Sequence, residues 1–132
     1  MGAVVLDSSV VIGLRDPDDA HHAPAVEAVR GARTAGHRLL LPASALAEVL
    51  VGASRLGPSA VDQVEQFVDA VIDRVEPIDR EVARMAASYR TRRASLRLPD
   101  ALVLAVGECR DADAVYTADT KWKGWDRVRV IR

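Results

Sequence analysis

At 132 residues and 49% hydrophobic content, the chain can bury one real core but does not divide comfortably into two, so residues 1–132 are read as a single domain. The 4% aromatic content argues against a base-stacking platform of the RNP or OB type, and the lone cysteine, Cys109, excludes an internal disulfide and fits a reducing cytoplasm. The formal net charge of −1 hides an uneven distribution, because acids stand at isolated points while basic residues cluster late in the chain.

Residues 3–6 are four apolar residues without alternation, the pattern of a strand buried on both faces of a parallel sheet. Asp7 follows directly, where a carboxylate is costly to desolvate unless a partner meets it. It either belongs to a site or caps the next helix, and this segment leaves both open. Residues 8–14 read as a short helix, Asp16-Pro17-Asp18-Asp19 as a turn, and 22–35 as a helix stopped at Gly36. His21 and His22 point apart on a helix and lack a third ligand at metal spacing, which leaves them capping or solvated.

The second strand, residues 38–42, ends in Pro42, and Ser44 is the candidate N-cap for a helix over 45–55. Glu48 is the only acid in that helix and sits among Leu46, Ala47, Val49, Leu50 and Val51, so it either occupies a polar stripe or needs a partner. Gly57-Pro58-Ser59 breaks the chain before an amphipathic helix over 60–72, and 74–78 form a third strand ended at Asp79. A helix over 80–93 follows. Leu98-Pro99-Asp100 then opens the most apolar helix, 101–109, placing Asp100 in a first turn where the dipole tolerates an acid. Residues 114–116 are the fourth strand, Thr117 to Thr120 the loop leaving it, and 128–131 an alternating edge strand. Strands separated by helices predict a parallel sheet of four to five strands with helices on both faces, a three-layer α/β/α architecture. No segment has a leader-like basic-then-apolar pattern, and none reaches the roughly 20 apolar residues of a membrane span, so a cytoplasmic protein without membrane contact is expected.

In such a sheet, ligands bind at the carboxyl edge of the strands. Asp7 and Asp119 follow strands, Glu48 lies early in the helix leaving the second strand, and Asp100 begins the helix feeding the fourth, so all four acids are predicted at that edge. The same rule starts the helix over 80–93 there too, and the return through 94–98 has no evident pattern. Four carboxylates with no matching lysine or arginine at equivalent positions cannot all ionise in a confined site without divalent cations or raised pKa values. Hard oxygen donors select magnesium or manganese, which points to metal-dependent phosphodiester hydrolysis. Ser8 and Thr117 carry hydroxyls beside Asp7 and Asp119, suited to holding carboxylates in orientation.

The ordered set Leu6-Asp7-Ser8-Ser9, Ala47-Glu48-Val49, Leu98-Pro99-Asp100-Ala101 and Thr117-Ala118-Asp119 resembles a PIN domain, specifically the VapC-type toxin ribonucleases of type II toxin-antitoxin pairs, over the whole chain. The resemblance implies a PIN-like fold and a magnesium-dependent endoribonuclease, with manganese as a substitute. Asp7 and Asp100 would be the principal metal ligands, Glu48 and Asp119 would complete the catalytic quartet, and Ser8 and Thr117 would support it. It further implies a homodimer, a cognate VapB-type antitoxin whose C-terminal segment occupies the acidic groove, and a structured RNA substrate such as transfer or ribosomal RNA.

A four-acid site repels a polyanion, so RNA must be held by neighbouring cations. Arg90, Arg92, Arg93 and Arg97 precede Asp100, Lys121 and Lys123 follow Asp119, and Arg15 follows the first helix, so these are the candidate RNA-binding residues, each against the plainer reading of a solvated surface charge. For Trp122 and Trp125, burial against the last strand is expected over stacking of a flipped base. A haloacid-dehalogenase-type phosphatase wants a second acid where Ser9 stands, and a receiver domain wants adjacent early acids that are absent. A PIN-like RNA-binding or RNA-maturation module without a toxin role is the remaining alternative.

Overall fold

The computed structural model describes residues 2–132. Five strands, β1 (Ala3–Leu6), β2 (Arg38–Pro42), β3 (Arg74–Glu76), β4 (Ala114–Thr117) and β5 (Val128–Val130), form one sheet in the order β3-β2-β1-β4-β5. Every pairing is parallel. The helices are α1 (Ser8–Arg15), α2 (His22–Thr34), α3 (Ala43–Leu56), α4 (Pro58–Val71), α5 (Arg80–Arg92) and α6 (Leu98–Cys109). Helices flank the sheet on both sides in the predicted three layers.

The apolar, unalternating strands explain the order. β1, β4 and the last four residues of β2 are buried throughout, whereas β5 alternates and lies at the edge. From β1 the chain steps outward to β2 and β3, then returns through α5 and α6 to the other side of β1. With right-handed crossovers, that reversal puts α5 and α6 on the face opposite α1 to α4. The reversal also creates a switch point between the carboxyl ends of β1 and β4, the place where open α/β sheets leave a crevice. Gly107 lets α6 lie close on β4, since a Cβ there would come within 2.5 Å of Val115 Cγ2.

Two local expectations change. Pro42, not Ser44, occupies the N-cap position of α3, and the buried Ser44 hydroxyl has no hydrogen-bond partner among the described residues. The helix starts two residues earlier because proline stops the ladder and its φ of −58° leads directly into the first turn. The second change concerns α5, which does not start at the carboxyl edge. It pairs with α6 as an antiparallel hairpin, so its first turn meets the end of α6, where Arg110 Nη2 bonds Asp79 Oδ2 at 3.0 Å. Its last turn therefore arrives beside the start of α6. The return that sequence pattern did not explain is a tight turn: Leu96 N–H donates to Arg93 O at 3.1 Å, and Arg90 Nη1 donates to Ala94 O at 2.6 Å and to Leu96 O at 2.7 Å.

Candidate active site

Asp7 sits at the switch point, at the N-cap position of α1 with φ −75° and ψ 159°, yet its side chain makes no capping hydrogen bond. The carboxylate is turned to the β4 side instead. Ser9 Oγ donates to Asp7 Oδ2 at 2.8 Å and Thr117 Oγ1 donates to the same oxygen at 3.0 Å. Each hydroxyl is itself held, because Ala118 N–H donates to Ser9 Oγ and Asp119 N–H donates to Thr117 Oγ1, both at 3.0 Å. Both side-chain donors therefore fall on Oδ2, and Oδ1 receives none. The hydroxyl on Asp7 is that of Ser9 and not of Ser8: both lie in the first turn of α1, but only the residue two places on reaches back to the carboxylate.

Burial raises the Asp7 pKa above its ordinary 3.8, against the opposing pull of the Ser9 and Thr117 hydroxyls and the Ser8 and Ser9 backbone amides. Glu48 projects from the solvent-exposed side of α3, and its pKa is raised first by partial burial, then by the charges of Asp7 and Asp100. Asp100, in the first turn of α6, is raised by burial and then by Asp7, with Asp119 adding a smaller push. Asp119 begins the short 3₁₀ turn Thr120–Trp122 and accepts Lys121 N–H on Oδ1 at 2.9 Å. The fold thus brings Asp7, Glu48 and Asp100 into mutual electrostatic contact, and Asp119 into contact with Asp100.

The expectation that no cation stands among these acids is corrected by Arg97. It occupies the N-cap position of α6, and its charge opposes the pKa rise of both Glu48 and Asp100. A cavity of about 320 Å³ opens here, with Arg97, Asp100, Asp119, Lys121 and the buried Trp122 in its wall, while Asp7 and Glu48 lie outside that lining. Trp122 Nε1 is near enough to Asp100 to hold its pKa back slightly but has no partner at full hydrogen-bond distance. A larger open depression of about 840 Å³ along α2 has Glu27 as its only acid, so size alone does not mark the site.

The other predicted cations separate by environment. Arg92 and Arg93 lie over aromatic rings beside the cavity. Arg90 is engaged on the turn after α5, and Arg15 lies over the Phe67 ring at the far end of α1, an eight-residue helix of about 12 Å. Lys123 is exposed just after the 3₁₀ turn and does not line the cavity. Sequence spacing could not separate these cases, since it counts residues between charges and not the direction in which α5 ends.

The donor set is entirely hard oxygen, the kind that suits magnesium or manganese. Among the described residues, no three candidate ligands close on a common point at metal-binding distance.

A model of the PIN domain matches residues 4–128 of the chain. No curated protein sequence matches it. Solved structures similar to it include a toxin-antitoxin complex from Klebsiella pneumoniae, at 20% identity and a TM-score of 0.76 over 97% of both chains. Another is Mycobacterium tuberculosis VapC20, described as a sarcin-ricin loop cleaving toxin, at 19% identity and a TM-score of 0.77 over 98% of this chain and 100% of that one. A third is the toxin-antitoxin pair VapBC-5 of the same organism, at 25% identity and a TM-score of 0.63 over 100% and 99%. With its acids at the β1/β4 switch point and the family model spanning nearly its whole length, the chain belongs to the PIN domain family.

Proposed function

We propose that the protein is a magnesium-dependent endoribonuclease, the VapC-type toxin of a toxin-antitoxin pair, and that Asp7, Glu48, Asp100 and Asp119 are its catalytic acids. The observation that carries this reading is the meeting of carboxylates from separate elements at one switch point, with Asp7, Glu48 and Asp100 each raised in pKa. Such a cluster costs stability unless a cation meets it, and perturbed carboxylates gathered in this way mark a functional site. Asp7 and Asp100 would hold the ion, with Glu48 and Asp119 completing its acidic surroundings. When bound, magnesium lowers the pKa of a water and offsets charge on the phosphodiester under attack.

The chain's own contribution is orientation and counter-charge. Ser9 and Thr117 fix Asp7 through Oδ2 and leave Oδ1 without a side-chain donor. Arg97 and Lys121 share the cavity with Asp100 and Asp119, where they would bind the non-bridging oxygens of the phosphate being cut. Manganese, with the same preference for oxygen, would substitute. Transfer or ribosomal RNA is the proposed substrate class, supported by the described activity of the M. tuberculosis relative. A VapB-type antitoxin is the proposed partner, supported by the toxin-antitoxin complexes among similar structures. A homodimer is proposed as well, and exposed Val51 and Leu56 on α3 offer apolar surface for it. No helix among the described residues is long and apolar enough to cross a membrane, and a cytoplasmic setting is the proposed one.

Purified protein should cut total cellular RNA at discrete positions with magnesium, and neither with chelator nor as Asp100→Asn, with cut ends read by sequencing. The loss in the variant should be roughly a thousandfold, since the charge stabilisation supplied by a correctly held ion is worth several kcal/mol. Equal cutting by Asp100→Asn would remove this site from the mechanism.

A further inference from the structure

Arg93 borders two hollows. On one side it lines the acidic cavity with Arg97, Asp100 and Asp119, and on the other it lines a groove of about 320 Å³ with Arg92, Gly124, Trp125 and Asp126. Its place between them is fixed by the turn after α5, which Arg90 clamps through the carbonyls of Ala94 and Leu96. The groove thus adjoins, across Arg93, the cavity in which the phosphate is proposed to be cut.

Its wall is aromatic and cationic. Trp125 is half-buried and meets Tyr89 edge-to-face, with ring centroids 5.0 Å apart at 63°. The Arg93 guanidinium lies 4.9 Å from the Trp125 ring centre, and that of Arg92 lies 6.0 Å from Trp125 and 5.0 Å from Tyr89. Among the described residues neither arginine has a carboxylate within ion-pairing distance, whereas Arg74, Arg110 and Arg127 all do. An arginine stacked on a ring keeps its N–H edge available for a phosphate, and the stack itself accepts a further planar group. Gly124 has φ +93°, and apart from its two chain neighbours no heavy atom lies within 4 Å of where a Cβ would stand, so this rim of the groove is not covered by another element. Asp126 is the one acid in this lining and is outnumbered by the two arginines.

We infer that this groove is a nucleotide subsite: an unpaired base of the RNA stacks against Trp125 and the Arg92 and Arg93 planes, and Arg93 binds the phosphate joining that nucleotide to the one being cut. This rests on the nuclease reading of the acidic cavity. A base in a duplex has both faces covered and cannot enter, so the substrate must be single-stranded at the neighbouring position. Trp125 and Arg93 are then determinants of specificity, and they do not touch the reacting atoms.

Binding measured in chelator separates this inference from catalysis. The probe is a short single-stranded RNA of mixed sequence, compared with the same strand in a duplex, followed by fluorescence polarisation and by tryptophan emission. The single strand should bind more tightly than the duplex and quench emission. Trp125→Ala and Arg93→Gln should each weaken single-strand binding about tenfold, the scale of one base-aromatic stack, while Trp125→Phe keeps most of it and loses most of the quench. Arg93 is exposed, so its substitution tests the subsite even where Trp125→Ala disturbs packing on Tyr89. With magnesium, Arg93→Gln should cut with a relaxed choice of adjoining base. Unchanged affinity and unchanged cut positions in Trp125→Ala and Arg93→Gln would overturn the subsite while leaving the nuclease intact. A protein that shows this binding pattern and never cuts would leave the stacking site standing and overturn the nuclease reading.

Discussion

Acids stand at both edges of the sheet, and the two edges use them in opposite ways. At the amino edge, Asp113 precedes β4 and Asp73 precedes β3, and each accepts a neighbouring strand's first free amide: Ala3 N–H donates to Asp113 Oδ2 at 2.8 Å and Leu39 N–H to Asp73 Oδ2 at 2.7 Å. At the carboxyl edge, Asp7 and Asp119 follow β1 and β4, where the strands end in carbonyls that a carboxylate cannot bond. Asp7 there is met by two hydroxyls and the Ser8 and Ser9 amides, and burial still leaves it with a raised pKa. The polarity of the backbone thus makes the same residue a structural tie at one end of a parallel strand and a poorly satisfied charge at the other. On the proposed reading, a divalent ion would supply at the second edge the positive charge that free amides supply at the first.

The comparison can be broken at either edge. Thr117→Val, which removes one donor to Asp7 Oδ2, should lower magnesium-dependent cleavage 10- to 100-fold and raise the magnesium concentration needed for half-maximal rate, with Thr117→Ser restoring most of both. Wild-type kinetics in Thr117→Val would mean that Asp7 does not depend on this hydroxyl for its orientation. At the other edge, Asp113→Ala should cost about 1–2 kcal/mol in urea unfolding, because the Ala3 amide loses its partner, while cleavage per folded molecule stays the same. A loss of activity larger than the loss of folded protein would show that the two edges are not separate in function.

The smallest effect tests sign. Asp7 has its folded-state pKa raised, so the fold favours its protonated form, and its charge opposes folding increasingly as pH rises through that value. Asp7→Asn keeps an oxygen for Ser9 and Thr117 and removes the charge, so without metal it should be more stable than wild type at neutral pH by about 1 kcal/mol. The advantage should shrink as pH falls and vanish below the ordinary aspartate value of 3.8, where wild type is protonated in both states. Thermal melts of both proteins between pH 3 and 8 in chelator check this; a destabilised Asp7→Asn at pH 7 would show that burial of the charge is not the dominant cost.

The order of strands and helices was readable because each element announces itself locally. Unbroken apolar runs mark β1 and β2, and Gly36 and Gly57 mark helix ends, all within a residue or two of the observed bounds, whereas α6 starts at Leu98, three residues before the expected 101, because Pro99 sits within its first turn. The acidic residues were selected by position relative to strands, a rule that needs only element order. What failed were matters of direction. Ser8 and Ser9 are adjacent and chemically identical, and only the path of the first turn of α1 decides which reaches Asp7. Arg90, Arg92, Arg93 and Arg97 form one cluster in sequence, yet the turn after α5 divides them: Arg90 clamps the turn, Arg92 and Arg93 lie over aromatic rings, and Arg97 stands among the acids.

By itself, then, the sequence determined a parallel α/β sheet and the edge at which its acids collect, because hydrophobic period and chain polarity are properties of short segments. Only the tertiary structure decided that α5 runs back along α6, that Arg97 enters the acidic site, and that Arg93 stands between the cavity and an aromatic groove. Those outcomes depend on how one helix packs against another, and that packing is set by contacts between residues far apart in the chain.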